Sequence, residues 1–216
     1  MDALETNVTG GFFIAAAAML WLGWTFLPAK IGDYFEVSDF AAVGAHRRIW
    51  IWLFRLHLFG YVFSVMAFVA VATLLAGATA RIVIWPAVAV LNTGLIMGAL
   101  AGAFYYHFGA WGALDMEGKS NADIEQFIAS IRASNEYVTC VVRFGRVFVG
   151  VGQIALVIGL LLSDGPWPNW LLVPGAALGL AGIALTMGLP DELKLYRPVF
   201  HLNVIWLAAF GTVTLL

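Results

Sequence analysis

Apolar residues fall along this chain in long, nearly unbroken runs, and the polar residues collect in the gaps between them. Residues 12–27 form the first run, a short one ended by Pro28. The second covers 49–77, and the third covers 82–108 with Pro86 in its first turn. The fourth, 138–162, is closed by Ser163, Asp164, Gly165 and Pro166. A fifth covers 170–189 and ends at Pro190, and a sixth covers 199–216. Backbone amides in hydrocarbon must bond within their own segment, so apolar runs of roughly 17–25 residues read as spanning helices. The pattern predicts an all-α, polytopic helical bundle with six spans, forming one transmembrane domain over residues 1–216.

Composition agrees and narrows the function. The chain is 62% hydrophobic and 11% charged, with a mean hydropathy of +0.91. Soluble domains run about 45–50% apolar and about 25% charged, and a globule of this size has no interior large enough for so much apolar surface. A soluble enzyme, a disordered chain and a nucleic-acid binder are therefore excluded, and the lipid bilayer is the expected surrounding. The net charge of −2 provides no global field for steering a partner. One cysteine, Cys140, allows neither an internal disulfide nor a CxxC site. The stretch Met1–Gly11 carries Asp2 and Glu5 and no basic residue, which does not fit a secretory signal peptide.

The charges are sorted by side. Six spans put both termini on one face of the membrane. The loops 28–48, 109–137 and 190–198, with the adjoining helix ends, fall on the other. They hold Lys30, Arg47, Arg48, Arg55, Lys119, Arg132, Arg143, Arg146, Lys194 and Arg197, ten of the eleven basic residues, leaving only Arg81 opposite. The positive-inside rule makes this basic side cytoplasmic and both termini non-cytoplasmic, in a cell's inner membrane.

Two of these loops have internal character. Ser120-Asn121-Ala122-Asp123 resembles a helix N-cap, and Ile124, Phe127, Ile128 and Ile131 then recur on one helical face. An interfacial amphipathic helix over about 121–134, feeding the fourth span, is expected. The loop 29–45 mixes Tyr34, Phe35, Val37 and Phe40 with Asp33, Glu36 and Asp39 and predicts no defined element.

Glycines supply packing faces. Gly94, Gly98 and Gly102 form a ladder on the third span, Gly145, Gly152 and Gly159 repeat by seven on the fourth, and Gly175 and Gly179 lie on the fifth. Small residues at such spacing let helices approach closely, here chiefly within the bundle. The halves of the chain show no internal repeat, which weakens an inverted-repeat transporter.

Ionisable groups within spans are costly and mark candidate sites. All four histidines fall toward the basic side: His46 before the second span, His57 about 12 Å into it, His107 closing the third and His201 opening the sixth. Arg55, Arg143 and Arg146 lie at the same level. On a continuous helix His46, His57, Tyr61 and Ser64 share a face, while Arg48 and Arg55 share a nearly opposite one. Imidazoles from facing helices together with arginines suit haem b, the nitrogens as axial ligands and the guanidinium groups on propionates. His57 and His107 are the expected ligand pair and His201 the replacement, with Arg55, Arg143, Arg146 and Tyr61 completing the cofactor site. Near the headgroups, however, histidine needs no special reason, and arginine snorkels.

Other chemistry has less support. No span carries HxxH, HxxxH or ExxH, so the carboxylate-bridged di-iron signature is missing. Asp115 and Glu117 after His107, and Asp191 and Glu192 before His201, more simply solvate loops. No GxSxG occurs. Glu136 is the natural partner of Arg132 four residues earlier, and Asn92 and Gln153 are expected to bond across helices. Most tryptophans fall near span ends, where an aromatic belt is expected, with Trp206 deeper.

Three functional classes follow. The first is a subunit of a membrane-bound, electron-transfer type complex, accessory or carrying haem b or a similar cofactor, alongside other membrane subunits. The second is a membrane-embedded enzyme acting on a lipid or quinone at the cytoplasmic interface. The third is a small-solute transporter, which calls for polar residues through the full thickness.

Overall fold

The computed structural model describes residues 2–25, 37–75, 77–163, 165–188 and 193–216. In order they form α1 (Ala3–Thr25), α2 (Val37–Ala45), α3 (Arg47–Leu74), α4 (Trp85–Phe104), α5 (Gly112–Asp115), α6 (Asn121–Leu161), α7 (Asn169–Gly188) and α8 (Leu193–Leu215). Wider π-helical turns, Ala80–Ile84 and Tyr105–Trp111, extend α4 at its two ends. No strand occurs among the described residues. Among the described residues six stretches have the length and apolarity to cross a membrane, so the chain is an all-α, multi-pass membrane protein.

The first span starts well before its apolar run. Asp2 accepts from the Leu4 amide at 3.2 Å, while Glu5 accepts from the Asp2 amide at 3.3 Å, which makes a reciprocal cap. The Thr9 hydroxyl turns back to the Glu5 carbonyl at 2.8 Å, which satisfies this buried hydroxyl within its own helix. α8 likewise begins at Leu193 and carries Pro198 within it, ahead of the expected start at 199. Part of the loop 29–45 becomes α2. The remainder, with Lys30, Asp33, Tyr34, Phe35 and Glu36, lies outside the described residues, as do Asp191 and Glu192.

The helix expected over about 121–134 is present but does not end there. It runs without a break into the fourth span as α6, 41 residues and about 61 Å long. That is twice the roughly 30 Å of a bilayer's hydrocarbon. Ser120 caps it in the expected way, accepting from the Asp123 amide at 3.2 Å while Asp123 accepts from the Ser120 amide at 3.1 Å. Gly118, at φ 74°, turns the chain back into this cap, a conformation that a β-carbon would strain. The expected Arg132–Glu136 pair forms at 3.1 Å on the exposed side.

Two cores result. The larger gathers Phe13, Phe68, Leu91, Leu156, Leu172 and Phe210 within the spans. The smaller lies at the basic end and joins Phe40 of α2, Trp50 and Phe54 of α3, Ala113 of α5 and Ile131 of α6. The apolar face of the outer α6 segment therefore packs on protein: Phe127 meets Phe40 at 5.6 Å between ring centroids.

Glycines set the closest helix approaches. A β-carbon at Gly145 would stand 3.0 Å from the Gly94 carbonyl oxygen, and one at Gly152 would stand 2.5 Å from the Leu91 nitrogen, so α4 and α6 meet backbone to backbone. Gly150 and Gly179 do the same for α6 and α7, as Gly10 and Gly211 do for α1 and α8. The ladder on α4 splits between neighbours. Each step of four residues turns about 40° around a helix of 3.6 residues per turn. Gly94 accordingly faces α6, whereas Gly98 faces Tyr61 of α3 and Gly102 faces Phe54.

The tryptophans also divide. Trp21, Trp52, Trp85 and Trp170 are exposed as a belt requires, but Trp50 and Trp167 are buried. The Trp167 indole donates to the Thr214 hydroxyl at 3.0 Å, and the Trp206 indole donates to the Leu171 carbonyl at 2.9 Å. Gln153 donates to the Gly175 carbonyl and to Asn203 Oδ1, at 2.8 and 2.9 Å, tying α6 to α7 and α8. Asn92 is buried, and its Oδ1 has no hydrogen-bond partner among the described residues.

Candidate binding groove between α3 and α4

On α3, positions 54, 58 and 61 fall on the side toward α4, while 53, 57 and 60 turn toward α1. On α4 and the turn after it, the facing positions are Ala99, Gly102, Ala103 and Tyr106. Three small residues in succession cannot fill the space opposite Phe54 and Leu58. A groove of about 280 Å³ remains, lined also by Arg55, His57 and Tyr61. A β-carbon at Gly102 would meet only Phe54, at 4.0 Å, so this glycine leaves room that no neighbour takes.

Polar groups mark the ends of the groove. At the rim the Arg55 guanidinium donates to the Tyr106 hydroxyl at 3.4 Å and stands 5.4 Å from the centroid of the Trp52 ring. On the inner wall, the buried His57 imidazole bonds the Leu20 backbone of α1 and lies where a Gly23 β-carbon would stand, 2.6 Å from its Cδ2. Phe200 of α8 closes its other side, at 6.1 Å between centroids. Tyr61 presses on Gly98, and behind it lie Tyr196 and Arg146, the latter 4.2 Å above the Tyr196 ring.

The structure thus brings together three of the residues singled out from sequence, Arg55, His57 and Tyr61, with Arg146 one layer behind. The others are elsewhere. Arg143 donates to the Thr186 carbonyl at 2.8 Å, within the last turn of α7, where helix carbonyls lack intrahelical donors. His107 is exposed on the wide turn after α4, and its ring meets Phe108. His201 is half-buried on α8 beside Phe200 and does not line the groove. His46 is a turn residue before α3, at φ −115° and ψ 22°, so the face it was to share with His57 stops short of it. Among the described residues no three His, Cys, Asp or Glu side chains converge on a possible metal position.

Sequence reasoning missed Tyr106 and Tyr196. Tyr106 lies past the start of a π turn, which adds a residue to the turn and shifts every later position off the 3.6-residue phase. Its only available signal was the pair Tyr105-Tyr106 beside His107. No family model, no curated protein and no solved structure matches this chain.

Proposed function

We propose that this chain is an integral membrane protein that binds an amphiphilic molecule, a lipid or a quinone, in the α3/α4 groove, as a subunit of a membrane-bound, electron-transfer type complex. The observation that carries the reading is the groove itself, apolar along its length, with Arg55 and Tyr106 at one end and His57 and Tyr61 on its inner wall. Its basic end is the cytoplasmic one by the positive-inside rule, which puts both termini outside. Enzymatic action on such a molecule would draw on the His57 imidazole, since no serine or cysteine lines the groove among the described residues.

A haem b subunit is the second reading, favoured by a histidine on the groove wall. His57 would be one axial ligand, with Arg55 and Tyr61 around it, but His107, its expected partner, is exposed and does not line the groove. Two further observations rank it below the first. About 280 Å³ lies just under the usual range of roughly 300–1,000 Å³ for ligand pockets, which suits one ring or one chain better than a macrocycle. A ligating His57 would also have to exchange its bond to Leu20.

The test uses the whole chain purified in mild detergent from its native membrane. Solvent extraction and mass spectrometry should recover about one lipid or quinone per chain from wild type and far less from Gly102→Leu, whose added side chain fills the groove. Equal recovery from both proteins, at equal thermal stability, would overturn the groove reading. A Soret band with sharp α and β bands on reduction, lost in His57→Ala or His107→Ala, would replace it with the haem reading.

A further inference from the structure

We infer that the groove's occupant is an anionic phospholipid, seated with one acyl chain between α3 and α4 and its phosphate on Arg55 and Tyr106. This rests on the reading of the groove as an amphiphile site and adds the identity of the amphiphile.

The groove has polarity along its axis. Arg55 to Tyr61 is six residues of α3, about 9 Å, and Ala99 to Tyr106 is a similar rise along α4. Phe54, Leu58, Ala99, Gly102 and Ala103 make the walls apolar over that length, and Arg55 at the rim is the one cation lining the groove among the described residues. The rim is also at belt level, since exposed Trp52 and Trp111 flank it. A molecule entering from the bilayer at this depth presents its headgroup to the rim and its chain to the walls.

The rim chemistry selects an anion. Arg55 is exposed, and no carboxylate among the described residues pairs with it within 4.0 Å. It is nevertheless held in position, by Tyr106 on one side and Trp52 on the other. A guanidinium has five N–H donors in a rigid fork; the bond to Tyr106 uses one and leaves a pair for two phosphate oxygens. The Tyr106 oxygen already accepts from Arg55 and is bonded by the Trp111 side chain, so its own hydrogen remains to donate outward. A quinone carbonyl, being neutral itself, would accept from the guanidinium or the phenol and leave the charge uncompensated. A phosphodiester takes the fork and the phenol together and cancels the charge. The basic end of the molecule faces the leaflet in which acidic lipids supply a negative surface potential.

The intact, delipidated chain, titrated in detergent with dioleoyl phosphatidylglycerol and dioleoyl phosphatidylcholine under native mass spectrometry, tests this. Wild type should bind the anionic lipid about tenfold more tightly, the effect of one charge-assisted pair. Arg55→Gln should weaken both lipids, which share the phosphodiester, and should remove the preference for the anionic one; Arg55→Lys should keep only part of that preference. Gly102→Leu should weaken both lipids. Equal affinity of wild type for the two lipids, with Gly102→Leu still blocking both, overturns the headgroup assignment and spares the groove. Indifference of both lipids to Gly102→Leu overturns the groove and the assignment with it. A short-chain quinone that binds wild type more tightly than either lipid, and is unaffected by Arg55→Gln, overturns the assignment in favour of a quinone.

Discussion

His57 shows how one side chain can hold two helices while facing a third. Its ring fills the space left by Gly23, bonds the Leu20 backbone and still reaches the groove wall. Gly23→Ala would drive a methyl group to within 2.6–2.7 Å of the imidazole, so the ring must leave its position. Such overpacking costs about 1–3 kcal/mol. The double variant Gly23→Ala, His57→Ala should be more stable than the sum of its singles implies, because the methyl then enters vacated space. Stability in detergent, measured by chemical unfolding, checks this, and strict additivity would separate the two residues. A second comparison isolates the groove: Gly150→Ala meets the Gly179 carbonyl oxygen at 2.6 Å, whereas Gly102→Ala meets one atom at 4.0 Å. Thermal melting should fall sharply for the former and stay within a degree or two for the latter. Of the four histidines, sequence depth marked His57 as the buried one, and it is. Which helix it would touch was not legible, since in lipid both the packed and the exposed faces of a span are apolar. Tyr196 was hidden for another reason: it falls in the stretch 190–198, which reads as a loop, but it belongs to α8.

Among the elements, those with polar punctuation were legible and those defined by phase were not. The cap at Ser120 is spelled out by a hydroxyl followed three residues later by a carboxylate, and both reciprocal bonds form. Ser120→Ala should cost about 1 kcal/mol of α6's outer segment. Hydrogen exchange over residues 121–131 should rise while exchange over 145–160 stays unchanged; protection that is unaffected would make the cap decorative. Nothing between Ile131 and Val138 breaks a helix, so the amphipathic stretch and the span are one element despite their different surroundings. The π turns carry no such spelling. They sit at both ends of α4, and the second rotates Tyr106 toward Arg55. Glycine ladders were legible as packing surfaces, but the 40° drift per step that sends Gly94 and Gly102 to different neighbours appears only with the helices assembled.

For the whole molecule, the number of spans was the most legible feature, because bilayer thickness fixes how long an apolar helix must be. The second core was not, since it joins α2, α3, α5 and α6 from separate parts of the chain. Its aromatic residues read in sequence as belt and loop. The sorting of basic residues predicts an orientation, and one cysteine makes it easy to test. In a Cys140→Ser background, Lys119→Cys introduces a thiol into the turn before α6, where residue 119 is exposed. A membrane-impermeant maleimide should label it in inverted vesicles and not in intact cells; the reverse pattern would invert the topology.

A helix that belongs to both cores imposes a shared register on them. Ile131 belongs to the outer core, and Gly145 and Gly152 are fixed against α4 in the inner one. One residue inserted between 131 and 145 would turn the two sets by about 100° relative to each other. Neither core could keep its contacts unless the other gave way. The fold thus depends more strictly on the length of the intervening stretch, Arg132 to Phe144, than on its composition: substitutions there are local events, while a single insertion or deletion acts on the entire bundle.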